Sequence, residues 1–194
     1  MQKSTTNVSG RTKQIVNVGL LAGIIFLLGF TSLGFIPLPI ARITIMHIPV
    51  IIGVILEGPK VGLILGFIFG ATSLYQNIVT PTALSFAFYN PLVSILPRLL
   101  IPITTYYTYK FIKIKKESLR IAIATIVGSL TNTVGVLGMI FILYLDRYAE
   151  AYTLSIGKAK AAIMSVVYTN GIVEAIVAAM LVSVIITALR KAKK

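Results

Sequence analysis

FAFYNPLVSILPRLLIP, residues 86–102, is an apolar segment that carries a single charged side chain, Arg98. Arg98 lies about twelve residues from the polar start of the segment, which at about 1.5 Å per helical residue is roughly half the thickness of a bilayer. A charge at that depth is costly, seldom faces lipid and usually has a pairing or binding role. The segment therefore predicts a membrane helix with a functional arginine near its middle.

The composition of the whole chain indicates a membrane protein. Of the 194 residues, 57% are hydrophobic and only five are acidic, and the mean hydropathy is +0.94. A soluble domain of this size would lack the polar residues to cover its surface. The apolar runs do not alternate with polar residues as barrel strands do, so we expect an all-α integral membrane protein. The first run continues as a full span, so we expect no cleavable signal.

Six membrane-spanning helices are predicted in a single membrane domain, residues 1–194. We interpret the EGPK sequence at 57–60 as a tight turn, because an unbroken helix over 43–75 would far exceed the roughly 30 Å hydrocarbon core. The predicted helices cover about 14–33, 43–56, 61–75, 86–107, 121–145 and 161–189.

The distribution of positive charge predicts the orientation in the membrane. Most of the 18 Lys and Arg residues lie at the two ends of the chain, at Lys60 and in the segment 110–120. The positive-inside rule then places both termini on the cytoplasmic side, with the chain crossing the membrane several times. Clusters that flank membrane helices do not form a basic face for nucleic acid, so we expect no nucleic-acid partner despite the net charge of +13.

Polar groups on three predicted helices lie at about the same depth: Arg98, Asn132 and Asn170. Glu174 is one turn deeper than Asn170 on the same helix face. In a bundle of apolar helices such groups turn inward and meet. Two interpretations remain open. The cluster is either structural, with Arg98 paired to Glu174 and the asparagines bridging helices, or it forms a pocket, open to the outside, that binds a polar solute.

Further candidate binding residues lie near the predicted outer ends of the helices: His47, Tyr75, Gln76, Asn77 and Asn90. An interfacial aromatic belt explains some of them without a ligand, and Asn90, which precedes Pro91, is well placed to cap its helix. His47 is the only histidine and the chain has no cysteine, so we expect no metal site. Without a nucleotide fingerprint or a nucleophile–base motif, we expect neither a cofactor nor an enzyme.

Small residues recur at helical spacing on two predicted helices. Gly58, Gly62, Gly66 and Gly70 form a stripe on the third helix, which favours close packing within the chain. The first helix has a shorter stripe of Gly19 and Gly23, with Ala22 beside it. This shorter stripe either packs within the chain or docks onto a different membrane subunit.

Five segments are together typical of one transporter family: VGLLAG at 18–23, HIPVIIGVILEGPKVGLILGFIFG at 47–70, FYNPLVSILPRLL at 88–100, SLTNTVGVLG at 129–138 and NGIVEAIVA at 170–178. With the six-span layout, they make nearly the whole chain resemble the substrate-binding S-components of energy-coupling factor (ECF) vitamin transporters. The first-helix stripe is alanine-rich in typical members, so Gly19 and Gly23 are a departure from the family pattern.

The resemblance implies a bundle of six helices, in the plasma membrane of a bacterium, that holds a vitamin near the extracellular side. The loops after the first, third and fifth helices, here residues 37–44, 76–85 and 146–160, would close the pocket. The first-helix stripe would dock onto a transmembrane coupling subunit driven by two cytoplasmic ATPases. The loaded S-component would then topple in the membrane and release the vitamin inside.

The segments 47–70 and 90–98 look most like the pantothenate-specific branch of that family. Arg98 suits a carboxylate, which it can bind bidentately, and Asn132 and Asn170 suit hydroxyl and amide groups. Niacin, biotin and folate are acids that fit the same chemistry. Riboflavin, like folate, would need a flat ring slot, which the absence of tryptophan disfavours. A stand-alone secondary transporter is the alternative from another class, although the sequence has no convincing repeat halves.

Overall fold

The computed structural model describes residues 10–37 and 42–192, most of which are helical. Nine α-helices, one 3₁₀ turn at Ser32–Gly34 and two short strands follow one another in this described part: α1 Gly10–Phe30, then the 3₁₀ turn, β1 Phe35–Pro37, β2 Arg42–Thr44, α2 Ile48–Glu57, α3 Pro59–Val79, α4 Ser85–Phe88, α5 Pro91–Ser94, α6 Leu96–Phe111, α7 Glu117–Leu143, α8 Leu145–Ala151 and α9 Ile156–Ala192. The strands pair antiparallel, with Phe35 opposite Thr44, and form a small hairpin between α1 and α2. The predicted polar segment 1–13 and the predicted connector 34–42 lie partly outside the described residues.

Four of the described helices are long and apolar enough to cross a membrane: α1 from Thr12, α3, α7 and α9. Their outer faces expose large apolar side chains, among them Leu20, Phe67, Ile142 and Val184. Contiguous apolar surface of this extent is unfavourable in water and well solvated by lipid tails. The fold is therefore that of a helical membrane protein.

The second predicted span is shorter in the structure than the sequence pattern suggests. Residues 42–44 form β2, and α2 begins only at Ile48 and has ten residues. A helix of that length spans about 15 Å, roughly half of the hydrocarbon core. Every residue from Ile48 to Ile55 is buried, which explains why this stretch has no polar face.

The turn after α2 agrees with the interpretation of EGPK. Gly58 has a φ of 93°, a conformation that glycine adopts without steric cost, and Pro59 starts α3. An added Cβ at Gly62 would lie 2.7 Å from the Cβ of Val54, on the other side of the turn. The two helices thus fold back against each other as a tight antiparallel pair.

The fourth predicted span, 86–107, is divided into α4, α5 and α6 in the structure. Asn90 is held extended before Pro91, and its side chain accepts a hydrogen bond from the N–H of Leu92 at 3.0 Å. Proline disfavours helical geometry in the preceding residue and lacks an N–H, so Pro91 and Pro97 both interrupt the helical ladder. α6 then continues past the predicted end to Phe111.

The other helix boundaries also differ from the predicted ones. α1, α3, α7 and α9 replace the predicted helices at 14–33, 61–75, 121–145 and 161–189. The largest difference is at 146–160, predicted as a connector, where α8 and the first turn of α9 form. Thr153 ends α8 with a φ of 53°, and the N–H of Leu154 reaches back to the carbonyl of Ala149 at 2.8 Å. Glycine is the usual residue at such a helix end, so threonine gave no signal in the sequence.

The glycine stripe on α3 packs against α6. An added Cβ at Gly66 would lie 2.6 Å from the carbonyl oxygen of Arg98, and one at Gly70 would lie 2.8 Å from the Cα of Ile95. Pro102 has no N–H to pair with the Arg98 carbonyl, so this oxygen is free of the helical ladder and faces α3. Only glycine allows the two backbones to approach this closely.

We expect Gly66→Ala to lower the free energy of unfolding by about 1–3 kcal/mol, because the new methyl group meets backbone rather than a mobile side chain. Thermal unfolding of the purified protein in detergent measures the change. Gly138→Ala on α7 is the matched control, since no described atom lies within 4 Å of its added Cβ. Equal unfolding midpoints for the two variants would contradict the close α3–α6 contact.

Candidate functional site

A cavity of about 600 Å³ lies between α3, α6, α7 and α9, next to the end of the hairpin at Thr44 and Met46. Small-molecule pockets are commonly about 300–1,000 Å³, so the volume suits a vitamin-sized ligand. Six of the residues singled out in the sequence line it: Gln76, Asn77, Arg98, Asn132, Asn170 and Glu174. The polar groups that the sequence places at one depth therefore surround a single cavity.

The position of Arg98 follows from the interruption between α5 and α6. The carbonyl of Val93 would normally pair with the N–H of residue 97, but residue 97 is proline and has none. Nη1 of Arg98 donates to this carbonyl at 2.8 Å, and Nη2 donates to Oγ of Ser73 on α3 at 3.4 Å. The Val93 carbonyl thus supplies one hydrogen bond to the guanidinium of Arg98, a residue that is only 5% exposed.

Two aromatic rings flank the guanidinium of Arg98. Its Cζ lies 5.2 Å from the ring centroid of Phe69 and 5.6 Å from that of Phe88. Both rings line the cavity, and both distances are within the range of cation–π attraction. Phe69 was not among the predicted site residues. It lies four residues before Ser73, on the same face of α3, and a phenylalanine in an apolar helix does not by itself indicate a binding role.

Glu174 binds the hairpin and α7. Its Oε1 accepts from the backbone N–H of Thr44 at 2.8 Å, and its Oε2 accepts from Oγ1 of Thr133 at 3.0 Å. In the described part of the chain, Arg98 and Glu174 form no ion pair with each other. The Arg98–Glu174 ion pair of the structural interpretation is therefore absent from the described structure. The guanidinium and the carboxylate line the cavity as separate groups.

The two asparagines differ in how well their polar atoms are satisfied. Asn132 is 4% exposed, and its Oδ1 has no hydrogen-bond partner among the described residues. Asn170 is half-buried, and its Oδ1 accepts from Oγ1 of Thr169 at 3.3 Å. A buried acceptor without a donor costs about 1–3 kcal/mol. A ligand N–H or O–H at Asn132 would remove that cost.

The edge of the cavity is formed by the segment after α3. Oγ of Ser85 donates to Oδ1 of Asn77 at 2.7 Å and accepts from the N–H of Thr82 at the same distance. Nδ2 of Asn77 donates to the carbonyl of Ser73 at 2.8 Å. Thr80, Pro81 and Thr82 line the cavity, so these bonds hold the segment against the cavity mouth.

Three predicted site residues are not among the described residues that line the cavity: Tyr75, Asn90 and His47. Tyr75 is exposed on α3, and its ring packs edge-on against Phe30 with a centroid distance of 5.6 Å. Asn90 caps α5 and donates to the hydroxyl of Tyr144 at 3.1 Å. His47 precedes the buried helix α2 and is fully enclosed by protein.

The proposed docking stripe lies on the surface of α1. Gly19 and Gly23 are exposed, and no described atom lies within 4 Å of a Cβ added at either position. Ala22 is half-buried and packs against the core. In the described structure the two glycines are therefore not used for packing within the chain.

Comparison with known proteins decides the family. Residues 13–186 match the family model described as "ECF transporter, substrate-specific component". The chain belongs to this family. The S-component resemblance is thereby confirmed, and so is the expectation that the chain is not an enzyme, because the family consists of transporter components.

A curated relative and a solved structure resemble this S-component. The chain is 31% identical to the "Pantothenic acid transporter PanT" of Lactococcus lactis subsp. cremoris (strain MG1363), over 81% of this chain and 82% of the relative. Its fold matches a solved structure titled "Structure and mechanism of the S component of a bacterial ECF transporter". That match has a TM-score of 0.66 and 18% identity and covers 95% of this chain and 99% of the other.

We expect Glu174→Leu to destabilise the S-component, because the N–H of Thr44 and the hydroxyl of Thr133 would lose their acceptor inside the protein. The expected loss is about 1–3 kcal/mol, measured by thermal unfolding in detergent. Glu174→Gln is the matched control, since its amide oxygen still accepts from Thr44 and its volume is unchanged. An unfolding midpoint in the Gln variant as low as that of the Leu variant would contradict the anchoring role.

Proposed function

We propose that this S-component binds pantothenate in the cavity from the extracellular side and delivers it into the cell through an ECF coupling module. The observation that carries the proposal is Arg98, a buried guanidinium that faces the cavity without a carboxylate partner in the described structure. The 31% identity to a relative named as a pantothenic acid transporter supports this choice of vitamin.

Pantothenate has the groups that this cavity can satisfy. Its carboxylate suits the guanidinium of Arg98, which keeps N–H donors free on both Nη atoms after bonding Val93 and Ser73. Its amide and hydroxyl groups suit the open acceptor of Asn132 and the amides of Asn170 and Gln76. The aromatic rings of Phe69 and Phe88 keep water away from the charged contact, which strengthens it.

We propose a single membrane domain with six crossing segments: α1, the segment 43–47 together with α2, α3, the broken unit α4–α6, α7 and α9. Both termini are then cytoplasmic, in the plasma membrane of a bacterium. Hydrogen bonds support a common side for the basic ends. Nδ2 of Asn17 on α1 donates to Glu57 at 2.5 Å, and Arg190 near the end of α9 forms an ion pair with Glu117 at the start of α7. These ends carry the positive charge expected on the cytoplasmic side.

The partner module in this proposal is a transmembrane coupling subunit with two cytoplasmic ATPases. The exposed stripe of Gly19 and Gly23, with Ala22 beside it, is the proposed docking surface. Small side chains allow two helix backbones to approach closely in lipid, where packing rather than the hydrophobic effect drives association. This surface is on α1, and no described α1 residue lines the cavity, so docking and ligand binding use separate surfaces.

We expect Arg98→Ala to weaken pantothenate binding by more than about tenfold, because a buried charge-assisted contact is lost. Isothermal titration calorimetry on the detergent-solubilised protein measures the affinity. Arg98→Lys is the matched control: it keeps the charge without the planar fork and should lie between the wild type and the alanine variant. Unchanged affinity in Arg98→Ala would assign the arginine to structure and remove the basis for a carboxylate ligand.

We expect Gly19→Leu and Gly23→Leu to impair assembly with the coupling module and to leave pantothenate affinity unchanged. The added bulk blocks close helix approach on a surface remote from the cavity. Co-purification with tagged coupling subunits measures assembly, and calorimetry measures affinity. Gly138→Leu on α7 is the control, because its added side chain also starts in open space. Intact assembly in both α1 variants would place the docking surface elsewhere.

The same proposal requires that uptake depends on the module. In reconstituted vesicles, pantothenate uptake by this chain should need the coupling subunit, the ATPases and ATP. Gradient-driven uptake by the purified chain alone would instead establish the stand-alone secondary transporter.

A further inference from the structure

His47 is a buried polar residue that the proposed binding site does not use. It directly follows Met46, which lines the cavity, and it precedes α2, where the N–H of Ile51 donates to its carbonyl at 3.1 Å. The side chain is 0% exposed, and neither Nδ1 nor Nε2 has a hydrogen-bond partner among the described residues. Buried polar side chains are nearly always satisfied, so an imidazole in this state requires a physical explanation.

Arg98 supplies a matching unsatisfied group. The helix that follows His47 lies beside the helix that carries Arg98, because a Cβ added at Gly62 would lie 2.7 Å from the Cβ of Val54 on α2 and 2.7 Å from that of Pro102 on α6. The Nε of Arg98 is itself buried without a partner in the described structure, whereas Nη1 and Nη2 donate to Val93 and Ser73. His47 lies seven residues before Val54 and Arg98 lies four before Pro102, so the unpartnered imidazole and the unpartnered Nε lie toward the starts of two helices that pack together.

The two groups are chemically complementary. A neutral imidazole has one ring nitrogen that accepts a hydrogen bond, and the Nε of arginine carries one N–H that can only donate. The described structure has no direct bond between them, and one buried water between them would satisfy both groups. Water in such sites bonds to otherwise unsatisfied polar atoms and becomes part of the structure.

We propose that His47 is a positioning residue for Arg98: its imidazole accepts a hydrogen bond from one buried water, and this water accepts one from Nε of Arg98. This bond fixes the rotation of the guanidinium about its side chain, while Phe69 and Phe88 flank the same group. The Nη edge then stays turned to the cavity, ready for a carboxylate. The inference rests on the proposed function, since it assigns His47 to ligand binding only through the contact of Arg98 with a carboxylate.

Ligand selectivity separates this role from a purely structural one. Pantothenate and pantothenol differ in that a primary alcohol replaces the carboxylate, so only pantothenate makes the charged contact. We expect wild-type protein to prefer pantothenate, and we expect His47→Phe to reduce the ratio of the two affinities by about tenfold while changing the affinity for pantothenol little. His47→Asn keeps an acceptor and should preserve more of the preference. Calorimetry in detergent measures all six affinities, of three proteins for two ligands.

A variant at Arg98 tests whether His47 acts through this residue. In an Arg98→Gln background, His47→Phe should change the affinity for pantothenate no further, because the group that it positions is gone. Equal losses of affinity for pantothenate and pantothenol in His47→Phe, or additive losses in the double variant, would overturn the positioning role. If the wild type itself failed to prefer pantothenate, the proposed function would fail, whereas an unchanged preference in His47→Phe would overturn only this inference.

The wild-type fold offers a second measurement that does not depend on a variant at His47. Because the chain has one histidine, ¹⁵N-histidine labelling gives one pair of ring-nitrogen signals. We expect the pattern of a neutral ring whose acceptor nitrogen is hydrogen-bonded, and we expect that signal to move in Arg98→Gln. A ring signal that is the same in wild-type and Arg98→Gln protein would overturn the inference.

Discussion

The hydrogen bond between Arg98 and the carbonyl of Val93 is the constraint on which the cavity depends. A guanidinium inside a membrane protein requires acceptors, and a regular helix offers few because each of its carbonyls already accepts one bond in the ladder. Pro97 has no N–H to donate to the Val93 carbonyl, so this carbonyl accepts from Nη1 of Arg98 at 2.8 Å instead. The interruption in the helix thus holds the charge in place, and the donors that remain free are those available to a ligand.

Prolines on α6 and glycines on α3 together bring Arg98 close to α3. Pro102 frees the carbonyl of Arg98, and Gly66 lets α3 approach that carbonyl closely. The close approach carries Phe69 and Ser73, on the same face of α3, to the guanidinium. A larger residue at Gly66 would therefore change the surroundings of the charge as well as the packing of the helices.

Much of this fold follows from patterns that are local in the sequence. The long apolar helices, the turn at EGPK and the common depth of Arg98, Asn132 and Asn170, with Glu174 one turn deeper, require only hydropathy, helical spacing and the properties of glycine and proline. The partners of these side chains are less predictable, because several of them are backbone groups. Glu174 binds the N–H of Thr44, 130 residues away, which no pattern of side chains indicates. His47, a predicted candidate, likewise is not among the described residues that line the cavity, and the complete burial of the helix that follows it is not visible in a local pattern.

The arrangement of the helices limits how the cavity can communicate with α1. No described α1 residue lines the cavity, so an effect of a ligand on α1 must pass through elements that contact both. Two such elements are present. The hairpin continues from the end of α1 to Thr44, whose N–H is bound by Glu174 at the cavity. The α2–α3 pair lies against α1, is tied to it by the bond from Asn17 to Glu57, and carries Phe69 and Ser73 at the other end.

The two connections start at opposite charges. The hairpin is held by the carboxylate of Glu174, and the α2–α3 pair contacts the guanidinium of Arg98 through Phe69 and Ser73. Since Arg98 and Glu174 do not neutralise each other in the described structure, a ligand that contacts both would act on both connections at once.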